Sequence, residues 1–133
     1  MDPDKFDFDS AQDFIQKIIF SKIDYLFIGG STVKREDLER VVEIFSGRIS
    51  IPIVLFPGDV YQISEKADAL LYLSVLSGRN PDYLIGQHTR TAKEISEMDI
   101  EIIPTAYLLI DGGNSSAVAY VRQTTPMPSN QFN

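Results

Sequence analysis

A chain of 133 residues is long enough for one domain with a real hydrophobic core, and its 44% hydrophobic content argues against disorder of the whole. Nineteen acidic against twelve basic residues give a net charge of -7, which opposes a general role in binding nucleic acid but leaves room for a small phosphorylated substrate. With no cysteine, a disulfide framework, a thiolate nucleophile and a thiolate metal site are all excluded, and a cytoplasmic protein is expected.

The chain begins MDPDKFDFDS, acidic where a signal peptide needs a basic region. Apolar spacing at Phe14, Ile15, Ile18 and Ile19 predicts a helix over residues 10–22, with Ser10 as N-cap and Asp13 at the third helical position. DYLFI at 24–28 is a continuous apolar run, the pattern of a strand covered on both faces. GGST follows it. Residues 34–46 place Leu38, Val41, Val42 and Phe45 on one helical face, and Gly47 stops that helix. Residues 51–56, IPIVLF, form the next buried-strand run, closed by Pro57 and Gly58. The linker 57–67 is too short for a full helix, so one crossover is degenerate. A third run, ADALLYL at 67–73, passes into SVLSGRNP. Pro81 then opens a stretch to Met98 that reads as one long or two short helices, with Gly86 weakening the single-helix version. EIIPTAYLLI at 101–110 is the fourth run. It is of strand size and too short to cross a membrane. DGG signals a turn, residues 115–125 alternate weakly as an extended segment would, and the Pro- and Asn-containing tail has no packing pattern.

Apolar, non-alternating strands separated by helices argue for a parallel α/β sheet. Two closures are open. With four strands visible the pattern favours an open doubly wound sheet; a (β/α)8 barrel needs roughly 250 residues. In either case ligands meet the loops that follow the strands.

Those loops supply the candidate chemistry. DPDK puts Asp2, Asp4 and Lys5 within four residues. An aspartate there with a hydroxyl from another loop suits Mg²⁺, which takes hard oxygens and shares phosphate oxygens; a solvated acidic stretch is the plainer alternative. In GGST the glycines permit close backbone approach to a ligand, and Ser31 or Thr32 would bond a phosphate, ligate a metal or cap the next helix. The segment matches neither a dinucleotide-binding fingerprint nor a Walker A loop. Arg79 in SGRNP suits an anion, with a polar capping turn as the alternative. His88 is the sole histidine, which argues for a surface or helix-side position over a metal. Tyr72 and Tyr107 lie in apolar runs, where core packing with a satisfied hydroxyl is the default and a wall for an apolar chain the alternative.

Taken in order, DPDK, IGGST, PIVLFPG, QIS with KADALLYLSVLSGRNPDYLIG, IPTAYLLIDGG and AVAYVRQTTPMP resemble the geranylgeranylglyceryl phosphate synthase family, over nearly all 133 residues. GGS alone is weak; LFPG, LSVLSGRNP and AYLLIDGG in this order are specific. The resemblance implies a partial (β/α)8 barrel that runs from the end of strand one to strand five as a single domain, 1–133. It further implies an incomplete N-terminal part, unable by itself to carry out the family's reaction.

That reaction is Mg²⁺-dependent transfer of a long prenyl chain from its diphosphate to sn-glycerol 1-phosphate. By match to the family's positions, Asp2 and Ser31 would hold Mg²⁺, and Tyr107 would face the prenyl chain. The family's glycerol phosphate sites and a glutamate after strand six would lie beyond Asn133. A homo-oligomer when complete and transient contact with a membrane surface through the lipid substrate are also expected. A catalytically inactive half-barrel, assembling with another chain or copy, and a different phosphate-binding α/β module are the alternatives.

Overall fold

The computed structural model describes residues 1–113 and 124–132. The elements follow the expected order: α1 (Ala11–Phe20), β1 (Leu26–Ile28), α2 (Arg35–Phe45), β2 (Ile53–Leu55), β3 (Ala69–Val75), α3 (Gly86–Ser96) and β4 (Glu101–Tyr107). Short 3₁₀ turns stand at Pro3–Lys5, Phe8–Ser10, Pro81–Tyr83 and Ser129–Phe132. Of the extended segment expected at 115–125, residues 115–123 lie outside the described residues.

The stretch from Pro81 divides. Asn80 accepts from the backbone N–H of Asp82 and caps the 3₁₀ turn, with Pro81 preset at its first position. Ile85 then takes φ -137°, off the helical path, and α3 starts afresh at Gly86. Ser10 does precede α1, but its hydroxyl donates to the Asp7 carbonyl (3.0 Å) and caps nothing.

The four strands form one parallel sheet in the order β1-β2-β3-β4, with Leu26 opposite Ile53 and Val54 opposite Ala69. The doubly wound arrangement favoured by the strand count is corrected here. A doubly wound sheet reverses its strand order at a switch point, whereas every crossover here steps to the next strand in the same direction. This is the winding of a barrel. The sheet is unclosed, and β1–β4 are the second to fifth strands of a partial (β/α)8 barrel.

Contacts group the chain into two compact units. The first holds Met1–Leu71 and Met98–Ile103. Its core is built on α2, whose Leu38, Val41, Val42 and Phe45 are fully buried, as their spacing predicts. Ile15 and Ile18 of α1, with Leu26, Ile28, Ile53, Val54 and Leu55 of the strands, complete it. Ile19 was placed on the same helical face, yet is half exposed. Phe45 also meets Phe6 (5.6 Å between ring centres) and Phe14 (5.8 Å), both edge-on.

The second unit holds Tyr72–Glu97 and Pro104–Asn133. In it the half-buried His88 ring ties α3 back to its surroundings. Its Nδ1 lies 3.1 Å from the Leu84 carbonyl oxygen and its Nε2 lies 3.0 Å from that of Leu73. The Tyr72 ring stacks obliquely on it at 4.4 Å, and the Tyr72 hydroxyl donates to the His88 carbonyl (3.0 Å). The satisfied hydroxyl expected of Tyr72 is therefore present. Removing it in Tyr72→Phe should cost about 1 kcal/mol, the net value of one such bond. Urea unfolding read by circular dichroism checks this.

Candidate functional site

The first unit brings Asp2 and Ser31 to adjacent backbone at the carboxyl end of β1. Met1 runs alongside that strand. Its amine donates to the Phe27 carbonyl (2.6 Å), and Gly29 N–H donates to the Met1 carbonyl (3.0 Å), which is the parallel ladder pattern for one residue. Burial lowers the pKa of the amine below its usual value, while the Asp2 charge pulls the other way. Asp2 therefore emerges where β1 gives way to the 29–32 loop.

There its carboxylate is held on three sides. Oδ1 accepts from the Asp4 N–H (3.2 Å), and Oδ2 pairs with Lys5 Nζ (3.1 Å). The third side is Gly30, where a Cβ would stand 2.8 Å from Asp2 Oδ1. With glycine there the carboxylate need not shift. Asp4 secures the same junction by accepting from the Thr32 hydroxyl (3.0 Å). Pro3 is buried, and its 3₁₀ turn packs on α2. The solvated acidic stretch weighed for DPDK is thus corrected to a docked turn. Neither hydroxyl of GGST caps α2, whose N-cap position is Lys34, without a side-chain cap bond.

The loop after β2 closes against the loop after β1. A Cβ on Gly29 would fall 1.9 Å from the Phe56 carbonyl oxygen, and one on Gly58 would fall 2.2 Å from the Gly30 oxygen. Expected to admit a ligand, these glycines admit the neighbouring loop instead. The buried Gln62 amide joins the two loops: Oε1 accepts from Gly58 N–H (2.8 Å) and Nε2 donates to the Val33 carbonyl (3.0 Å). Beside this junction lies a cavity of about 340 Å³, walled by Ser31, Thr32, Lys34, Arg35, Asp59 and Tyr61 among others. Ser31, Thr32 and Lys34 share its wall with Asp59, and Arg35, on the same wall, pairs with Glu39 (3.9 Å).

Among the described residues, no group of three or more His, Cys, Asp or Glu side chains is placed to hold a metal ion. One carboxylate and one hydroxyl from adjacent loops form a smaller set. It suits an ion that keeps waters and shares substrate oxygens, the habit of Mg²⁺. Tyr107 belongs to the second unit. It ends β4, is half-buried, and its carbonyl accepts from Leu76 N–H (3.0 Å). Arg79, also there, is exposed, and its turn is capped by Asn80, so the capping alternative for SGRNP is the one found. Asp4 is among the candidates of DPDK; Gln62, in the QIS segment, is not singled out by the sequence, where only its apolar neighbour Ile63 hints at burial.

Fold and loops together define a parallel (β/α)-barrel protein with its polar side chains at the carboxyl ends of the strands, where barrels bind their ligands. Within that class the chain belongs to the PcrB family, which residues 1–132 match. It is 47% identical over 131 residues to a geranylgeranylglyceryl phosphate synthase of Chitinophaga pinensis, covering 98% of this chain and 52% of that one. A protein of the same name from Methanosphaera stadtmanae is 34% identical, with 96% and 52% covered. Among solved structures it is similar to (S)-3-O-geranylgeranylglyceryl phosphate synthase of Thermoplasma acidophilum in complex with sn-glycerol-1-phosphate. That likeness has a TM-score of 0.85 and 26% identity, over 96% of this chain and 51% of the other.

These spans correct the expectation of an incomplete N-terminal part. The matches take in 96% to 99% of this chain. The chain spans about half the length of the curated relatives it matches.

Proposed function

We propose that this protein joins sn-glycerol 1-phosphate to geranylgeranyl diphosphate, giving geranylgeranylglyceryl phosphate and diphosphate. The observation that carries this reading is the Asp2–Gly30–Ser31 junction, in a chain 47% identical to a relative named for that synthesis. The glycerol phosphate held by the Thermoplasma acidophilum enzyme supports the acceptor substrate. The cavity beside Ser31, with Thr32 and Lys34 on its wall, supports a phosphorylated donor.

In the reaction the allylic C–O bond of the diphosphate loosens and the 3-hydroxyl of the glycerol phosphate attacks that carbon. Asp2 and Ser31 would hold Mg²⁺, which when bound supplies positive charge against the departing diphosphate. Lys34, at the pocket wall, adds charge for the same group. Tyr107 would lie along the prenyl chain. A cytoplasmic homo-oligomer, touching a membrane surface through its lipid substrate, fits these substrates. Among the described residues no helix is long and apolar enough to cross a membrane.

The test is incubation of the protein with labelled sn-glycerol 1-phosphate, geranylgeranyl diphosphate and Mg²⁺, followed by solvent extraction. Lipid-soluble label should appear, and chelation with EDTA should abolish it. No product at any Mg²⁺ concentration would overturn the proposal. The unclosed sheet favours one second reading, a module that binds a phosphorylated ligand without turnover. Calorimetric binding of either substrate without product formation would select it.

A further inference from the structure

We infer that Gln62 is a positioning residue for the Asp2–Ser31 site, acting by locking the loop that carries Ser31 to the loop after β2. The inference rests on the proposed reading of that site as a Mg²⁺ and diphosphate locus.

Gln62 is 0% exposed. A primary amide so placed is costly unless both its ends are hydrogen-bonded. Both are, and each end serves a different loop. Oε1 takes the Gly58 N–H of the β2 loop, while Nε2 gives to the Val33 carbonyl, two residues beyond Ser31. The same Gly58 is pressed on the backbone of Ser31 itself, since a Cβ there would stand 2.7 Å from Ser31 Cα. Gln62 is carried back to this point by a tight turn in which its own N–H donates to the Asp59 carbonyl (3.1 Å). A side chain needed only to fill the space would require no polar ends. With its amide in place, the two loops have one relative position, and the Ser31 hydroxyl is presented from fixed backbone. Without it, Gly58 N–H and the Val33 carbonyl each lose their partner. The loops then keep their van der Waals contact but not their register.

The variant Gln62→Met fills the same volume without the amide. Mn²⁺ serves as the probe for the Mg²⁺ position, its binding read by electron paramagnetic resonance well below each variant's thermal midpoint. Exchange of the Gly58 amide hydrogen is followed in parallel. Q62M should bind Mn²⁺ about tenfold more weakly, the size of effect usual when an outer partner of a metal ligand is lost, and its Gly58 amide should exchange faster. Leu70→Ala, a core change elsewhere in the unit, should lower the midpoint without altering Mn²⁺ affinity, which separates positioning from plain stability. If Q62M does not fold, Gln62→Asn takes its place, its amide one methylene short of reaching both partners. A folded Q62M or Q62N that binds Mn²⁺ as the unaltered protein does would overturn the inference while leaving the metal site standing. An unaltered protein that binds no Mn²⁺ would overturn both.

Discussion

Gly58→Ala should destabilise the protein by about 3 kcal/mol, at the upper end of the range for overpacking. The added methyl would lie 2.2 Å from Gly30 O, 2.7 Å from Ser31 Cα and 3.0 Å from Gly30 C. All three are backbone atoms, so no rotamer change relieves the clash. One of the two loops has to move. The β2 loop is held by Phe56 N–H on the Ile28 carbonyl (2.8 Å) and by Gln62 on Gly58 itself. The 29–32 loop is held by Gly29 N–H on Met1 and by Thr32 on Asp4. Moving either one breaks a bond on each flank. Gly112→Ala is the internal control, because among the described residues nothing lies within 4 Å of a Cβ there and its φ is not positive; its cost should stay within about 0.5 kcal/mol. Urea unfolding of the two variants measures the difference. Equal midpoints would mean that the two loops are not in contact in solution.

The contrast between Gly58 and Gly112 also marks where the sequence is informative. The elements were legible because they are local. Leu38, Val41, Val42 and Phe45 recur at helical spacing, and all four are fully buried. The apolar runs marked the strands, but the two-sided covering expected of them holds only for β2: Phe27 of β1 is exposed and no residue of β4 is buried. Strand order was not legible, since the same runs serve an open sheet and a barrel, and the direction of each crossover leaves no trace in hydropathy. Residue type left Asp2 and Asp4, and Ser31 and Thr32, as alternatives; the resemblance singled out Asp2 and Ser31, which lie on adjacent backbone. The glycines beside them were legible as places of close approach, but not as to what approaches. Gln62 was invisible for a related reason: its two bonds run to a residue 4 away and a residue 29 away, and only the fold brings the second within reach.

Asp2→Asn should reduce prenyl transfer by about 100-fold or more, because the substitution removes the one anionic ligand of the proposed Mg²⁺ position. Outer partners of a metal ligand are themselves worth 10- to 100-fold, and a ligand's own charge should be worth at least as much. The substitution is nearly isosteric. Its side-chain oxygen still accepts from Asp4 N–H and still fits against Gly30, so the 3₁₀ turn and the loop contact survive. What it loses structurally is the ion pair with Lys5, whose side chain is 81% exposed; such a pair contributes little in water. Thermal stability should therefore stay almost unchanged while kcat collapses, a combination that global unfolding cannot produce. Ser31→Ala should cost less, about tenfold, because a water can take the place of a neutral hydroxyl at the ion. Raising Mg²⁺ should recover part of the activity of S31A and little of that of D2N. Steady-state assays over a Mg²⁺ series, paired with melting curves, provide the check. Full activity in D2N at ordinary Mg²⁺ would remove Asp2 from the metal site and leave its carboxylate with a single task, closing the turn that docks Pro3 against α2.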